Sequence, residues 1–374
     1  MIYLDHNATT PLDGRVMEAM LPFLSQLFGN PSSLYRLGRV SRSAIDTARG
    51  QIAALVGSEP SQVVFTSGGT EANNLAIKGM AGKLAKGGIA VGATEHPSVM
   101  TPMRRLHQEG WELQTLPVDS LGKLIDEAVN ALPKSKLRFA SVMLANNETG
   151  VIQDISALGE RLRETGGYLH CDAVQAAGKL PLNFSNLGVH AFSLSSHKLY
   201  GPKGIGALVI DKSVGLAPQI EGGGQERELR SGTENVAAIV GFGKAAELAL
   251  AEFETRTAHC LKLRQQLEQG LAQLSGVTVF AENAPRLPNT LQFGLSGMDG
   301  EMLLMSLDRK GFAVSSGSAC ASGAGEASPV LLAMGVDAET AKSAIRVSVG
   351  KDNSEADIEA FLSVLQTFAR AFPA

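Results

Sequence analysis

The 374-residue chain has few cysteines, few aromatic residues and little net charge. Three cysteines are too few, and an odd number, for a disulfide framework, and such sparse use is typical of a reducing compartment. The net charge of −4 and the lack of a Lys/Arg-rich block argue against direct, stable binding of nucleic acid. No apolar run reaches the roughly 20 residues of a membrane helix, and the N-terminus has no basic-then-apolar leader. We therefore expect a cytoplasmic globular protein that is not associated with a membrane.

What the chain does have is apolar material in short runs, since 44% of its residues are hydrophobic. That is enough for a large core, arranged in two lobes. The runs alternate with helical patterns, and we predict strands at residues 62–66, 88–93, 138–144, 168–172, 191–195 and 205–210 and helices at residues 71–78 and 155–163. Short, continuous apolar strands between helices indicate an α/β fold whose mixed, mostly parallel sheet is flanked by helices.

The pattern changes near residue 241. A helical pattern from residue 243 to residue 274 predicts one long helix that links the two lobes. Its apolar stripe consists of Cys260, Leu263, Leu267, Leu271 and Leu274. A last helix should begin near the capping residues Asn353 and Ser354.

Residues 66–71, Thr-Ser-Gly-Gly-Thr-Glu, place glycines and a hydroxyl between a strand and a helix. Exposed N–H groups and the helix dipole favour an anion such as phosphate at such a turn, and the glycines let the backbone come close to it. The alternative is an ordinary capped helix after a tight turn.

Residues 193–198, Ser-Leu-Ser-Ser-His-Lys, end a strand in polar side chains. A desolvated lysine such as Lys198 can lose its proton and form a Schiff base, and Ser195 and His197 could donate to a phosphate. The alternative is a surface lysine in a polar turn.

Asp172 follows an apolar strand at the end where open α/β sheets bind ligands. Its carboxylate could keep a pyridinium nitrogen protonated, and Gln175, one helical turn later, could bond to the same ring. The alternative for Asp172 is a helix cap. We predict no metal site, because His170, Cys171 and Asp172 would point to opposite faces of a strand.

Residues 311–325 are mostly small and contain one thiol, Cys320. A thiolate on a moving loop and an incidental cysteine in a linker are both consistent with this composition. His96, Asn147, Thr233 and Arg346 also stand at strand ends, in polar loops or among apolar residues, and each could equally be structural.

Taken together, these segments resemble the cysteine desulfurases, fold-type I pyridoxal-phosphate enzymes of the class V aminotransferase group. Residues 195–198, Ser-Ser-His-Lys, resemble the cofactor-lysine signature, and residues 318–320, Ser-Ala-Cys, resemble the persulfide-cysteine signature. The resemblance spans residues 3–350 and includes the order and spacing of the motifs. It implies a large cofactor-binding domain over residues 14–250, and a smaller α+β domain made of residues 1–13 and 251–374 that carries the cysteine loop.

The resemblance also implies roles around the cofactor, pyridoxal 5'-phosphate. Lys198 would bind it covalently, Asp172 would pair with the pyridine nitrogen, and Gln175 would bond to the ring hydroxyl. His96 would stack on the ring and help to move protons. The phosphate would be held by the N–H of Gly69 and by the side chains of Thr70, Ser195 and His197.

The remaining implied roles concern the partner subunit and the substrate. Thr233 would reach the phosphate of the partner subunit, which implies a homodimer. Asn147 and Arg346 would hold the carboxylate of L-cysteine, and Cys320 would take its sulfur as a persulfide and leave L-alanine. The sulfur would then pass to an acceptor protein, such as an iron–sulfur scaffold or a thiolation enzyme.

Three features depart from the family pattern. Cys171 replaces an aliphatic residue, and we expect it to pack in the core. The loop after Cys320 is as long as in the long-loop subgroup but unusually rich in glycine and alanine. The end at Ala374 leaves no extended tail of the kind that docks the iron–sulfur scaffold in housekeeping members.

Two other functions remain open at this point. An aminotransferase or a selenocysteine lyase on the same fold is one alternative, and the former would have no use for Cys320. The second is a non-enzymatic subunit kept for its interface. It is disfavoured by the presence of all the residues that the chemistry needs, Lys198, Asp172, Gln175, His96 and Cys320.

Overall fold

A computed structural model of the chain describes residues 1–133, 137–316 and 326–371. The predicted nucleophile Cys320 and most of its loop lie outside the described residues. In chain order, the strands are β1 (Ile2–Tyr3), β2 (Val63–Thr66), β3 (Gly88–Gly92), β4 (Glu112–Leu116), β5 (Leu137–Ser141), β6 (Tyr168–Asp172), β7 (Ala191–Ser195), β8 (Gly206–Ile210), β9 (Val277–Val279), β10 (Thr290–Leu295), β11 (Phe312–Ala313), β12 (Ser315–Ser316) and β13 (Ala344–Ser348). The helices are α1 (Gly14–Ser25), α2 (Arg36–Val56), α3 (Gly69–Ala81), α4 (Pro97–Gln108), α5 (Asp126–Asn130), α6 (Ser156–Thr165), α7 (Val236–Ala251), α8 (Phe253–Leu271), α9 (Gly300–Arg309), α10 (Pro329–Ala333), α11 (Ala338–Lys342) and α12 (Glu355–Ala371).

The large sheet has the strand order β2-β8-β7-β6-β5-β3-β4 within the described ranges. Strands β7, β6, β5, β3 and β4 pair in parallel, whereas β8 is antiparallel to both of its neighbours. Alternate side chains of one strand enter separate apolar clusters, as Val64 and Phe65 of β2 show. Helices therefore cover both faces, and the predicted α/β fold with a mixed, mostly parallel sheet is confirmed.

A second sheet, in the order β12-β13-β10-β9, is antiparallel and forms the C-terminal part of the molecule with α8 and α12. The N-terminus joins this part, because β1 pairs with β11 and Leu4 is buried in the same apolar cluster. The domain boundaries at residues 13/14 and 250/251 stay a prediction.

The predicted helix over residues 243–274 is wrong as a single element. The structure has two helices there, α7 and α8, and the chain leaves helical geometry at Glu252, which bonds to Arg15 and Arg256. The two helices bury their apolar faces in different clusters, α7 against the large sheet and α8 against the C-terminal one. Because each half is periodic by itself, the sequence pattern does not reveal the break.

Other local predictions agree with the structure. The last helix, α12, follows Ser354, whose Oγ accepts from the N–H of Asp357 at 3.3 Å. Cys171 is fully buried in the large core, as expected. None of the helices in the described part of the chain is both long and apolar enough to cross a membrane.

Candidate functional site

A cavity of about 300 Å³ lies where β6 and β7 end and α3 begins. The ends of parallel strands converge there, so polar residues that follow different strands become neighbours. The predicted site residues that line it are Gly69, Thr70, His96, Asn147, Asp172, Gln175, Ser195, His197, Lys198 and Arg346. The structure thus brings together residues from segments up to 277 positions apart, Gly69 to Arg346, around one space.

Lys198 stands in a short 3₁₀ turn, Ser196–Lys198, directly after β7. Its Nζ donates to the backbone carbonyl of Ala8 at 2.7 Å and to that of Asn7. The turn places the amine at the cavity, where it contacts the backbone of the N-terminal segment. This location agrees with a reacting lysine and not with the alternative of a surface lysine.

Asp172 ends β6 and is 7% exposed. Its Oδ1 accepts from the N–H of Val174 at 3.0 Å, which is the local capping contact that the sequence offered as an alternative. Its Oδ2 accepts from Nδ2 of Asn73 on α3 at 2.7 Å, and this contact is not local. The carboxylate is therefore fixed from two sides while it lines the cavity.

The N-terminus of α3 forms one end of the cavity. A Cβ at Gly69 would lie only 2.9 Å from Cγ2 of Val174, so the backbone approaches closely there. Ser195 Oγ is buried without a hydrogen-bond partner among the described residues. Burial, with the charges of Lys198 and Lys203, lowers the pKa of His197 to about 4, so its ring is neutral near pH 7. A helix N-terminus, an unsatisfied hydroxyl and close backbone together suit a phosphate group.

His96 is the N-cap of α4, and its Nδ1 accepts from the N–H of Ser98 at 3.1 Å. The Ser98 hydroxyl lies 2.7 Å from the same nitrogen. Burial lowers the pKa of His96, Asp172 opposes that shift and Lys198 adds to it. A neutral imidazole thus lines the same cavity as Asp172 and Lys198.

Arg346, on β13, enters the cavity from the C-terminal sheet and is 3% exposed. Its Nη2 donates to Oδ1 of Asp5 at 2.7 Å, and its Nη1 donates to the backbone carbonyl of Asn147 at 3.0 Å. Asp5 is the carboxylate partner that a buried arginine requires. Arg346 Nε is buried without a partner among the described residues, so the guanidinium keeps donor capacity.

Sequence reasoning missed the polar residues Asn7, Asn73 and Ser98, which line the cavity, and Lys179, which bonds to Gln175. The carbonyl of Asn7 accepts from Nε2 of Gln175 at 2.9 Å and from Lys198. Lys179 Nζ donates to Oε1 of Gln175 at 2.8 Å. A usable signal existed only for Asn73, an asparagine one turn inside a helix that follows a glycine-rich turn.

Two predicted residues are not placed at the cavity. Thr233 is exposed and does not line it, and Cys320 lies outside the described residues. Within residues 1–133, 137–316 and 326–371, no cluster of three His, Cys, Asp or Glu side chains is arranged to hold a metal ion.

The chain is similar in sequence and in structure to known proteins over nearly its whole length. The family model Aminotransferase class-V matches residues 2–361. A cysteine desulfurase IscS of Dictyoglomus turgidum is 43% identical over 369 residues, which are 98% of this chain and 93% of that protein. Among solved structures, a NifS-like protein superposes with a TM-score of 0.93 at 36% identity and covers 99% of both chains. A structure of SspA in complex with cysteine superposes with a TM-score of 0.83 at 31% identity, over 94% of this chain and 99% of that one.

Proposed function

Because the chain belongs to the cysteine desulfurases of the class-V aminotransferase family, we propose that it removes sulfur from L-cysteine, releases L-alanine and holds the sulfur as a persulfide on Cys320. The observation that carries the proposal is that Lys198, Asp172 and His96 line one cavity. The N-terminus of α3, which suits a phosphate group, lies at one end of the same cavity. Pyridoxal 5'-phosphate is the cofactor of this family.

The residues present fit that cofactor. When bound, its protonated pyridine ring withdraws electrons from the α-carbon of the substrate. Asp172 would pair with the ring nitrogen, Gln175 would donate to the ring hydroxyl, and His96 would stack on the ring. The phosphate would be held by Gly69, Thr70, Ser195 and His197. The buried, unsatisfied hydroxyl of Ser195 and the close backbone at Gly69 support this assignment.

Different residues of the chain would bind the substrate, remove its α-proton and accept its sulfur. Arg346 and Asn147 would hold the substrate carboxylate, and the donor capacity at Arg346 Nε supports that role. Lys198 would take the proton from the α-carbon, since its amine is the base aimed into the cavity. The Cys320 thiolate would attack the substrate sulfur. As the S–S bond forms, the C–S bond breaks towards the β-carbon, which gains a proton and becomes the methyl group of alanine.

Alanine release from L-cysteine by the yellow holoenzyme tests this function. Cys320→Ala should retain the bound cofactor and its absorption but lose persulfide formation, with turnover reduced by roughly a hundredfold or more because the nucleophile is gone. Cys260→Ala is the matched control, since Cys260 packs in the C-terminal core, and it should still form the persulfide.

The outcomes separate the remaining alternatives. Equal alanine release by wild type and Cys320→Ala would exclude Cys320 as the sulfur acceptor. A yellow protein that yields a keto acid and no alanine would be an aminotransferase instead.

We further propose a homodimer in which Thr233 reaches the phosphate of the partner subunit. Leu24, Phe28 and Leu34 are large apolar residues that are 64%, 76% and 88% exposed. Arg42 donates to the carbonyl of Pro31, lies beside Leu34 and forms an ion pair of 2.6 Å with Glu234, so the Thr233 loop is close to the segment that carries Leu34. A surface with three such residues beside the loop that carries Thr233 is typical of a subunit interface.

The persulfide must pass to an acceptor protein, and we propose an iron–sulfur scaffold or a thiolation enzyme in that role. A thiol that must return to its reduced form after each turnover functions best in a reducing compartment. A cytoplasmic location is therefore part of the proposal, in agreement with the three cysteines of the chain.

A further inference from the structure

The hydrogen bonds around His96 determine which ring nitrogen carries the proton. Nδ1 lies 3.1 Å from the backbone nitrogen of Ser98, whose N–H donates to it as part of the α4 cap. A backbone N–H can only donate. A proton on Nδ1 would therefore set two N–H groups against each other. In the neutral ring, this contact therefore favours a proton on Nε2.

The Ser98 hydroxyl strengthens the same assignment. Its Oγ lies 2.7 Å from His96 Nδ1 and 2.8 Å from Asn73 Nδ2. The amide nitrogen of Asn73 can only donate a hydrogen bond, so Ser98 Oγ accepts from it. The hydroxyl proton is then directed to His96 Nδ1, which receives two donors.

The orientation of Asn73 is fixed in turn by Asp172. The second hydrogen on Asn73 Nδ2 goes to Oδ2 of Asp172 at 2.7 Å, and a carboxylate only accepts. With the amide flipped, two oxygens would face each other inside the protein. A continuous chain of hydrogen bonds thus runs from Asp172 through Asn73 and Ser98 to His96.

We propose that Asn73 and Ser98 are positioning residues that hold neutral His96 with its proton on Nε2, so that His96 presents a hydrogen-bond donor and not a base to the reacting atoms. The inference rests on the proposed function in that the reacting atoms lie in this cavity. It narrows the predicted part of His96 in moving protons and leaves proton abstraction to Lys198. Burial lowers the pKa of His96, in agreement with a neutral ring.

Nitrogen NMR of the holoenzyme labelled with ¹⁵N-histidine tests the proposal. His96→Gln identifies the two signals of His96 among the seven histidines of the chain. In the wild type, Nδ1 should give the shift of an unprotonated, pyridine-type nitrogen and Nε2 that of an N–H. The opposite assignment would overturn the proposal, and this measurement needs no turnover.

Variants test the roles of Ser98 and Asn73. Ser98→Ala leaves only the backbone donor, so the signals of His96 should move towards a mixture of tautomers. The kcat for alanine release should fall about threefold to tenfold, with a much smaller change in KM, because one oriented hydrogen bond is lost. Ser98→Thr keeps the hydroxyl and should restore the wild-type shifts.

Asn73→Leu and Asn74→Leu form a matched pair on α3. Asn74 Nδ2 donates to the backbone carbonyls of Thr70 at 2.9 Å and of Ser98 at 3.5 Å, and its hydrogen bonds involve neither the Ser98 hydroxyl nor Asp172. Only Asn73→Leu should disturb the His96 signals. Unchanged shifts in both Ser98→Ala and Asn73→Leu would contradict the proposal. Wild-type shifts as expected, in a protein that releases no alanine, would instead contradict the proposed function.

Discussion

The buried amine of Lys179, next to the site, makes the stability of the fold depend on pH. Its ammonium is buried, although part of the side chain reaches the surface, and it donates to Gln175 Oε1 at 2.8 Å and to Asn7 Oδ1 at 3.2 Å. Burial lowers the pKa of Lys179 to about 7, and the charge of Lys198 acts in the same direction. The two acceptors keep the amine in place in either protonation state.

Lys179→Met should change how stability depends on pH. Between pH 7 and about 10, the unfolded chain keeps a proton on Lys179 and the folded chain does not, so the wild type gains stability as pH rises through this range. The variant lacks that gain. From about pH 7 to about pH 9, the free energy of unfolding of the wild type should rise by about 2 kcal/mol relative to the variant. Urea unfolding at both pH values measures the difference, and parallel profiles would show that the lysine is protonated in the fold.

The location of a single site residue can be predicted from the sequence when it depends on the strand or turn that contains the residue. Asp172, Ser195 and Lys198 follow apolar strands, and the convergence of parallel strands brings them together. Asn7 could not be predicted in this way. Its Nδ2 donates to Thr290 Oγ1 at 2.9 Å, across 283 positions of the chain, and only the folded molecule shows that contact.

Among the elements, the turn that precedes Thr233 is held by one carboxylate. Residues Glu226, Arg227 and Glu228 all have positive φ, between 47° and 64°, a conformation that costs free energy for residues other than glycine. Glu226 accepts two hydrogen bonds from Arg49 of α2 and one from the N–H of Phe65 in β2. These contacts compensate for the strained backbone and attach the turn to the large core.

Glu226→Gln should destabilise the protein strongly. It removes the charge opposite Arg49, whose side chain is 13% exposed, and leaves that cation without its partner. Breaking a buried pair from one side costs about 3 kcal/mol. Glu228→Gln is the control in the same turn, because Glu228 also has positive φ but is exposed, and its effect should be near zero. Thermal unfolding of both variants gives the comparison, and equal losses would mean that the Arg49 pair contributes nothing specific.

The elements also show where sequence patterns are insufficient. The predicted strands agree with β6 and β7 residue for residue, because a short run that is buried on both faces is continuous in the sequence. The break between α7 and α8 was not predictable. The stripe of Leu263, Leu267 and Leu271 continues the period of α7, although it packs against a different sheet.

In the whole molecule, the two larger sheets both supply side chains to the cavity. The large sheet supplies Asp172 and Lys198, whereas the C-terminal sheet supplies Arg346, which bonds to Asp5 near β1. Thr233 is exposed and does not line this cavity, so its proposed contact with a phosphate requires the cavity of another copy of the chain. The proposed homodimer therefore predicts that each site contains residues from two protomers.

Mixed dimers test that prediction directly. Lys198→Ala should abolish turnover, and Thr233→Ala should weaken cofactor binding roughly tenfold, since a hydrogen bond to a charged phosphate is lost. A dimer with one copy of each variant has one site without either residue and one intact site, if Thr233 serves the partner. Random reassociation of equal amounts should then restore about a quarter of the wild-type sites.

The measurement is alanine release at limiting cofactor, before and after the two variants are dissociated together and reassociated. Recovery above both parent proteins supports a shared site. If Thr233 acted within its own protomer, each site of the mixed dimer would lack one residue, and no recovery would occur. Adding Phe28→Glu to both variants places a charge in the exposed apolar region around Leu24 and Leu34, and it should abolish the recovery because the subunits no longer pair.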